Sequence, residues 1–186
     1  VIRYTYDAEG TRISYANGEK TVTYVTDTSV RNSRVLMSTD SDGKTVYYIY
    51  GLGLIAQYDD DNGYMVYHYD MRGSATALTD INGNITDRFD YDIYGNMYNH
   101  TGKTETPFLY TGKYGVMTEE NGLCYMRTRY YSPELRRFIN ADILKGGIED
   151  SRTLNRYAYV NGNPVSYVDP FGTSAEMAGD IAHLVL

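Results

Sequence analysis

The sequence predicts an all-β fold, in which tyrosine-rich β-hairpins lie side by side in a curved, spiralling antiparallel sheet. Three observations carry this expectation. The first is composition: of 186 residues, 22 are Tyr, against 4 Phe and no Trp, and 18 are Gly. Tyr packs well on a pleated surface, and Gly serves tight turns. The second is a repeat. The pattern aromatic-x-Tyr-Asp-x-x-Gly occurs at Tyr4 to Gly10, Tyr67 to Gly73 and Phe89 to Gly95, with weaker copies near Tyr24 and Tyr50. The matching tyrosines (Tyr6, Tyr24, Tyr50, Tyr69 and Tyr91) are 18 to 26 residues apart, about 21 on average. That length suits one hairpin plus its connection. The third is punctuation: Asn-Gly or Asp-Gly pairs at Asn17, Asp42, Asn62, Asn82, Asn121 and Asn161 separate the β-forming runs.

Each element follows from local chemistry. Aromatics at i and i+2 of a strand share a face. Asp followed three residues later by Gly fits a type I turn, with Asp opening the turn and Gly leaving it. The spacing predicts strands over Lys44 to Tyr50, Tyr64 to Tyr69 and Ser74 to Leu78. Such hairpins cannot bury their faces alone, so neighbours must pair edge to edge, with tyrosines inward and their hydroxyls on polar partners. After Thr101 the rhythm stops and Arg127, Arg129, Arg136 and Arg137 cluster. The first three are expected to be strand-face charges balancing the acidic excess. A short helix is predicted from Asp150 to Val160. A second is predicted from Thr173 to Leu186, with Thr173 and Glu176 as a capping box.

Charge and residue usage exclude several functions. The formal net charge is −7 and the isoelectric point about 4.9, so no basic face is expected for nucleic acid. No run of 18 apolar residues occurs, so no membrane span is predicted. Cys124 stands alone, which rules out an internal disulfide. His68, His100 and His183 are far apart, and no metal or other cofactor is expected. Asp40 to Gly43 and Asp59 to Gly63 lack the bidentate Glu of a calcium loop and read as hairpin turns. Neither Ser132 nor Cys124 has a recognisable activating base. Val1-Ile2-Arg3-Tyr4 carries neither an initiator Met nor a signal pattern, and the chain is expected to be part of something larger.

Ordered blocks extend the reading. His68-Tyr69-Asp70-x-x-Gly73, Ala77-Leu78-Thr79-Asp80-x-x-Gly83-Asn84 and Tyr91-Asp92-x-x-Gly95 resemble the YD repeats of RHS (rearrangement hotspot) proteins. Pro107-Phe108-x-Tyr110-Thr111-Gly112, Gly122-Leu123-x-Tyr125-x-Arg127-x-Arg129-Tyr130-Tyr131-x-Pro133 and Arg137-Phe138-x-x-x-Asp142 resemble the RHS-associated core domain. So do Leu154-Asn155-x-Tyr157-x-Tyr159-Val160-x-x-Asn163-Pro164 and Val168-Asp169-Pro170-x-Gly172. The resemblance reaches from the first repeats to Gly172. It implies repeat hairpins over 1–100, a core domain over 101–173 that closes a partial shell, and the start of a variable C-terminal region over 174–186. In such proteins the shell encloses a C-terminal toxin. Its implied partners are the chain's own toxin segment and the rest of the shell or other copies, with a secreted or bacterial cell-surface location.

The resemblance also implies aspartyl self-cleavage. Asp169, with Pro170 and Gly172, matches the family's second Asp-Pro-x-Gly motif. Asp142 matches the first, although Ile143, Leu144 and Lys145 replace the rest of it. Arg137 matches the family's Arg before Phe. The cut would then fall between Thr173 and Ser174, where the family has Leu in place of Thr173. Two carboxyls 27 residues apart, brought together, would share a proton, because like charges in contact cannot both ionise cheaply. An inert shell scaffold and an adhesive, glycan-binding surface of exposed tyrosines remain the alternatives.

Overall fold

The computed structural model describes residues 1–30, 33–144, 146 and 151–178. Among them, ten strands form one antiparallel sheet in chain order. They are β1 (Arg3–Tyr6), β2 (Arg12–Ala16), β3 (Thr21–Asp27), β4 (Arg34–Asp40), β5 (Thr45–Gly51), β6 (Gly53–Asp59), β7 (Gly63–Tyr69), β8 (Ala75–Thr79), β9 (Ile85–Tyr91) and β10 (Met97–Thr101). The sheet does not close: β1 and β10 are its two edges.

The repeat tyrosines fall on β1, β3, β5, β7 and β9, so one repeat is two strands. The Asp-x-x-Gly turns explain the connections. At Asp7, Asp40, Asp70, Asp80 and Asp92 the Gly N–H donates to the Asp carbonyl at 3.0–3.2 Å. The Asp Oδ1 accepts from the backbone N–H groups two and four residues on. Each turn is thus held by its own side chain before any long-range contact forms.

Bulges bend the sheet. The register shifts at Thr5/Tyr6, Ile49/Tyr50 and His68/Tyr69, beside the repeat tyrosines. The consequence appears at the far ends. Tyr130 lies 5.5 Å from the ring of Tyr4 on β1, while the adjacent Tyr131 donates its hydroxyl to Tyr94 O, beyond β9, at 2.7 Å. Eight strand spacings separate β1 from β9, about 38 Å if flat. The sheet therefore curls around the residues that follow it.

Those residues fold against its inner face. A four-stranded sheet runs β11 (Met117–Thr118), β12 (Cys124–Met126), β13 (Arg129–Ser132), β14 (Arg137–Phe138), and a small pair joins β15 (Tyr167–Val168) to β16 (Glu176–Met177). Phe108, Met117 and Tyr125 complete a core with Tyr48, Leu54, Tyr67, Ala75, Leu78 and Phe89 of the large sheet. Phe108 meets Tyr48 edge-on at 4.9 Å. Three inward hydroxyls find polar partners: Tyr67 donates to Gln57 Oε1 at 2.5 Å, Tyr50 to Val35 O at 3.0 Å and Tyr69 to Leu54 O at 2.9 Å, whereas the hydroxyl of the repeat residue Tyr91 is buried without a hydrogen-bond partner among the described residues. Arg12, buried, pairs with buried Glu119 and lies 4.3 Å over the Tyr125 ring.

Both predicted helices fail within the described residues. Over 151–160 the backbone makes a 3-10 turn at Ser151–Leu154 and another starts at Val160, while Leu154 and Tyr157 are exposed; Asp150 lies outside the described residues. Asn155 diverts the backbone: its Oδ1 accepts Tyr157 N–H and its carbonyl accepts Ala158 N–H. At the C-terminus Glu176–Met177 is strand, paired with Tyr167–Val168. Ser174 Oγ, not Thr173, reaches the Glu176 carboxylate, at 3.2 Å. Residues 179–186 of that predicted helix lie outside the described residues.

Glycine is obligatory where the two layers touch. Gly95 has φ 88°, and a Cβ there would stand 2.5 Å from the Tyr110 ring; Gly83 has φ 82° but open space. Left-handed backbone costs roughly 1–2 kcal/mol for an L-residue. Gly83→Ala should lose about that much stability in urea unfolding, and Gly95→Ala at least about 1 kcal/mol more, because a buried ring must also move. Equal losses would show that the ring contact is not tight.

Candidate active site

The predicted carboxyl pair is assembled by an arginine. Arg129 opens β13 on the same face as Tyr131, and both are buried. Its guanidinium lies 3.5 Å from the Phe138 ring centroid. One nitrogen, Nη2, lies 2.9 Å from Asp142 Oδ2 and 3.3 Å from Asp169 Oδ2. Nη1 donates to Arg156 O at 3.0 Å, and Nε donates to Gly172 O. A stacked, always-charged fork of this kind brings two acids onto one donor in a way that Lys does not.

Asp169 sits in the same kind of turn as the repeats. Its Oδ1 accepts Thr173 N–H at 3.0 Å and Ser174 N–H at 3.2 Å. Pro170 takes the second turn position, which its fixed φ suits. Gly172 has φ 71°, and a Cβ on it would lie 2.8 Å from Met126 O and from Thr128 Oγ1. No other residue fits there. Asp142 is anchored differently: its N–H donates to Arg156 O at 2.9 Å, its carbonyl accepts the Arg156 guanidinium, and its Oδ1 accepts Leu144 N–H at 2.8 Å. A cavity of about 320 Å³ is lined by Arg129, Asp142, Asp169, Thr173 and Ser174, among others. Both acids and the Thr173-Ser174 bond thus border one space.

Arg137 is not among them. On β14 it alternates with Phe138, which is buried, so Arg137 faces solvent. Among the described residues it makes no ion pair with either acid. Arg129 and Arg127 are likewise not the strand-face charges that the sequence predicted, since their contacts point inward. A signal existed: Arg129 stands two residues before Tyr131, in strand phase with an aromatic. Cys124 is fully buried, and burial pushes its thiol up to about 12, so it is no nucleophile. Among the described residues no group of three or more His, Cys, Asp or Glu could hold a metal.

No family model matches the chain. It is 35% identical over 174 residues to the tRNA3(Ser)-specific nuclease WapA of Bacillus spizizenii and to the tRNA nuclease WapA of Bacillus subtilis (strain 168). Each match covers 91% of this chain and 7% of the relative. Among solved structures, a chain of the Photorhabdus luminescens Tc holotoxin pore, carrying a TccC3 substitution, superposes with a TM-score of 0.70. That match has 21% identity over 98% of this chain and 9% of the other. The chain belongs to the RHS-repeat family. The RHS-repeat chain spans only 7% of the length of the two nucleases it matches.

In this RHS-repeat chain the electrostatics of Asp169 are unusual. Burial raises its pKa from an ordinary 3.8 to about 6, while the Thr173 and Ser174 amides and Arg129 pull the other way. At Asp169, whose side chain is 3% exposed, burial outweighs these donors and Arg129. Arg129 itself is lowered by burial, against the attraction of Asp142 and Asp169.

A raised carboxyl pKa means that the folded state holds the proton more tightly than the unfolded one. The stabilising contribution is present below about pH 4 and lost as pH rises through about 6. The stability of wild type relative to Asp169→Asn should therefore fall by roughly 2 kcal/mol between pH 4 and pH 7. Paired urea titrations check this; a pH-independent difference would show that Asp169 ionises freely.

Proposed function

We propose that the chain closes one end of an RHS shell that encloses a C-terminal toxin, and that it cuts itself after Thr173. In this reading 1–100 contributes shell hairpins, 101–173 the closing core, and 174–186 the start of the variable region. The enclosed partner is the chain's own C-terminal segment, and the remaining shell comes from the same polypeptide or other copies. The assembly belongs to a secreted or cell-surface bacterial toxin.

One observation carries the cutting reaction: two carboxyls share one guanidinium nitrogen, and the amide nitrogen of Ser174 lies 3.2 Å from Asp169 Oδ1. Asp142, as a carboxylate paired with Arg129, takes a proton from water as its oxygen attacks the Thr173 carbonyl carbon. Once water has added and Ser174 N has become pyramidal, with its lone pair free, the protonated Asp169 gives its proton to that nitrogen as the C–N bond breaks. The products are a Thr173 carboxyl group and a free Ser174 amine. Each carboxyl has one task, and burial keeps the proton on the one facing the leaving group.

Intact-mass analysis of the folded chain tests this. Wild type should yield two masses meeting at Thr173-Ser174, and Asp142→Asn and Asp169→Asn should keep the full mass. Arg129→Lys should slow the cut at least about tenfold, since one ammonium does not replace the fork. A wild type that keeps its full mass points to the scaffold reading, which the loss of Pro and Gly after Asp142 favours. Because Asp169 must hold a proton, the cut should run faster at pH 5 than at pH 8; a rate rising towards pH 8 would contradict the assignment of acid and base.

A further inference from the structure

The turn joining β12 to β13 does more than present Arg129. It lies against the Asp169–Gly172 turn and meets its carbonyls one after another. Arg127 Nη1 donates to Pro170 O at 2.7 Å. The Thr128 hydroxyl lies 2.6 Å from Phe171 O and 3.0 Å from Gly172 O. Arg129 Nε donates to Gly172 O. Three consecutive side chains thus engage three consecutive carbonyls.

Arg127 also ties this contact to the rest of the molecule. Its Nη2 donates to Tyr114 O at 2.8 Å and to Ser33 O, beside β4, at 3.2 Å. Its guanidinium lies 5.5 Å from the Phe171 ring centroid. Its backbone is left-handed, with φ 59°, which a non-glycine residue adopts only when its surroundings hold it. Gly115 leaves the necessary room: a Cβ there would stand 2.6 Å from Nη2. These partners are carbonyls, so Arg127 orients the turn without engaging the acids that Arg129 engages.

On the opposite side of the same turn, Asp169 Oδ1 holds the Thr173 and Ser174 amides. Donors therefore hold the turn's carbonyls while an acceptor holds its outgoing amides. We infer that Arg127 and Thr128 are positioning residues for the self-cleavage proposed above, forming a clasp that sets the register in which Thr173-Ser174 meets Asp169. Neither touches a reacting atom. Their effect is orientation, which is costly to lose when the bond must meet two groups at once.

Thr128 gives the cleaner test, because it is exposed and Thr128→Val replaces its hydroxyl with a methyl group of similar size. Thr128→Val should keep the wild-type thermal midpoint and slow the cut about tenfold, with its pH midpoint unmoved. Thr128→Ser should restore the rate. Arg127→Met should slow the cut further, again at the wild-type pH midpoint, whereas Arg129→Lys should shift that midpoint. Wild-type rates in Thr128→Val, or no recovery in Thr128→Ser, would overturn the clasp. If wild type itself is never cut, the self-cleavage reading fails, and amide hydrogen exchange still judges the clasp. Faster exchange at residues 173 and 174 in Thr128→Val supports it; unchanged exchange overturns it.

Discussion

Burial of inward-facing aromatic side chains between the large sheet and the body it surrounds is the interaction on which the rest of this molecule depends. Tyr48, Tyr67 and Phe89 on one side and Phe108, Met117 and Tyr125 on the other form one cluster. Each such side chain is worth roughly 1.5–3 kcal/mol when removed from water. Neither layer can bury these surfaces by itself. The backbone is shared as well: Ala75 N–H donates to Leu109 O and Lys113 N–H to Gly73 O. The sheet's curl and the inner body are two aspects of one packing arrangement, because β13 reaches both β1 and the turn beyond β9 only if the sheet wraps around it.

The molecule uses a single turn chemistry in two environments. In the repeats, Asp80 is only partly buried, and hydrogen bonds from Asn84, first of all, hold its carboxyl below the ordinary range. At Asp169 a closely related set of amide donors is present, yet burial raises the pKa to about 6. The Asp-to-Gly spacing is the same, but Asp80 Oδ1 accepts amides two and four residues on and Asp169 Oδ1 those four and five residues on, in a site that burial has cut off from water. A turn that elsewhere only reverses the chain becomes a candidate proton donor once it is packed beneath β13.

Charge in this interior is managed by distribution rather than by simple pairing. Arg129 divides one guanidinium among two carboxyl groups and two carbonyls. Arg127 spends its donors on three carbonyls, and burial lowers it to about 10, which still leaves it charged at neutral pH. Arg12 has a carboxylate partner, Glu119, with Tyr125 stacked on it. Oriented acceptors or π-faces meet the Nη groups of each cation and offset part of the cost of removing it from water, although Nε of Arg12 and of Arg127 is buried without a hydrogen-bond partner among the described residues.

The sequence by itself determined the local elements. The Asp-to-Gly spacing specified turns stabilised by their own side chains, and alternation specified strands with tyrosines on a common face; both signals act within a few residues. Asp142 and Asp169 were legible because they stand in ordered blocks. Only the tertiary structure decided that Arg129, not Arg137, joins them. Both arginines lie on short strands beside aromatics, and either face was open until Tyr131 and Phe138 packed inward. The helices expected at 150–160 and near Glu176 failed for a related reason. Their backbone groups found better partners in Asn155 and in β15, contacts that no helical period records. Local spacing fixes which conformations are inexpensive, whereas the choice of buried face is made by the neighbour that arrives from far along the chain.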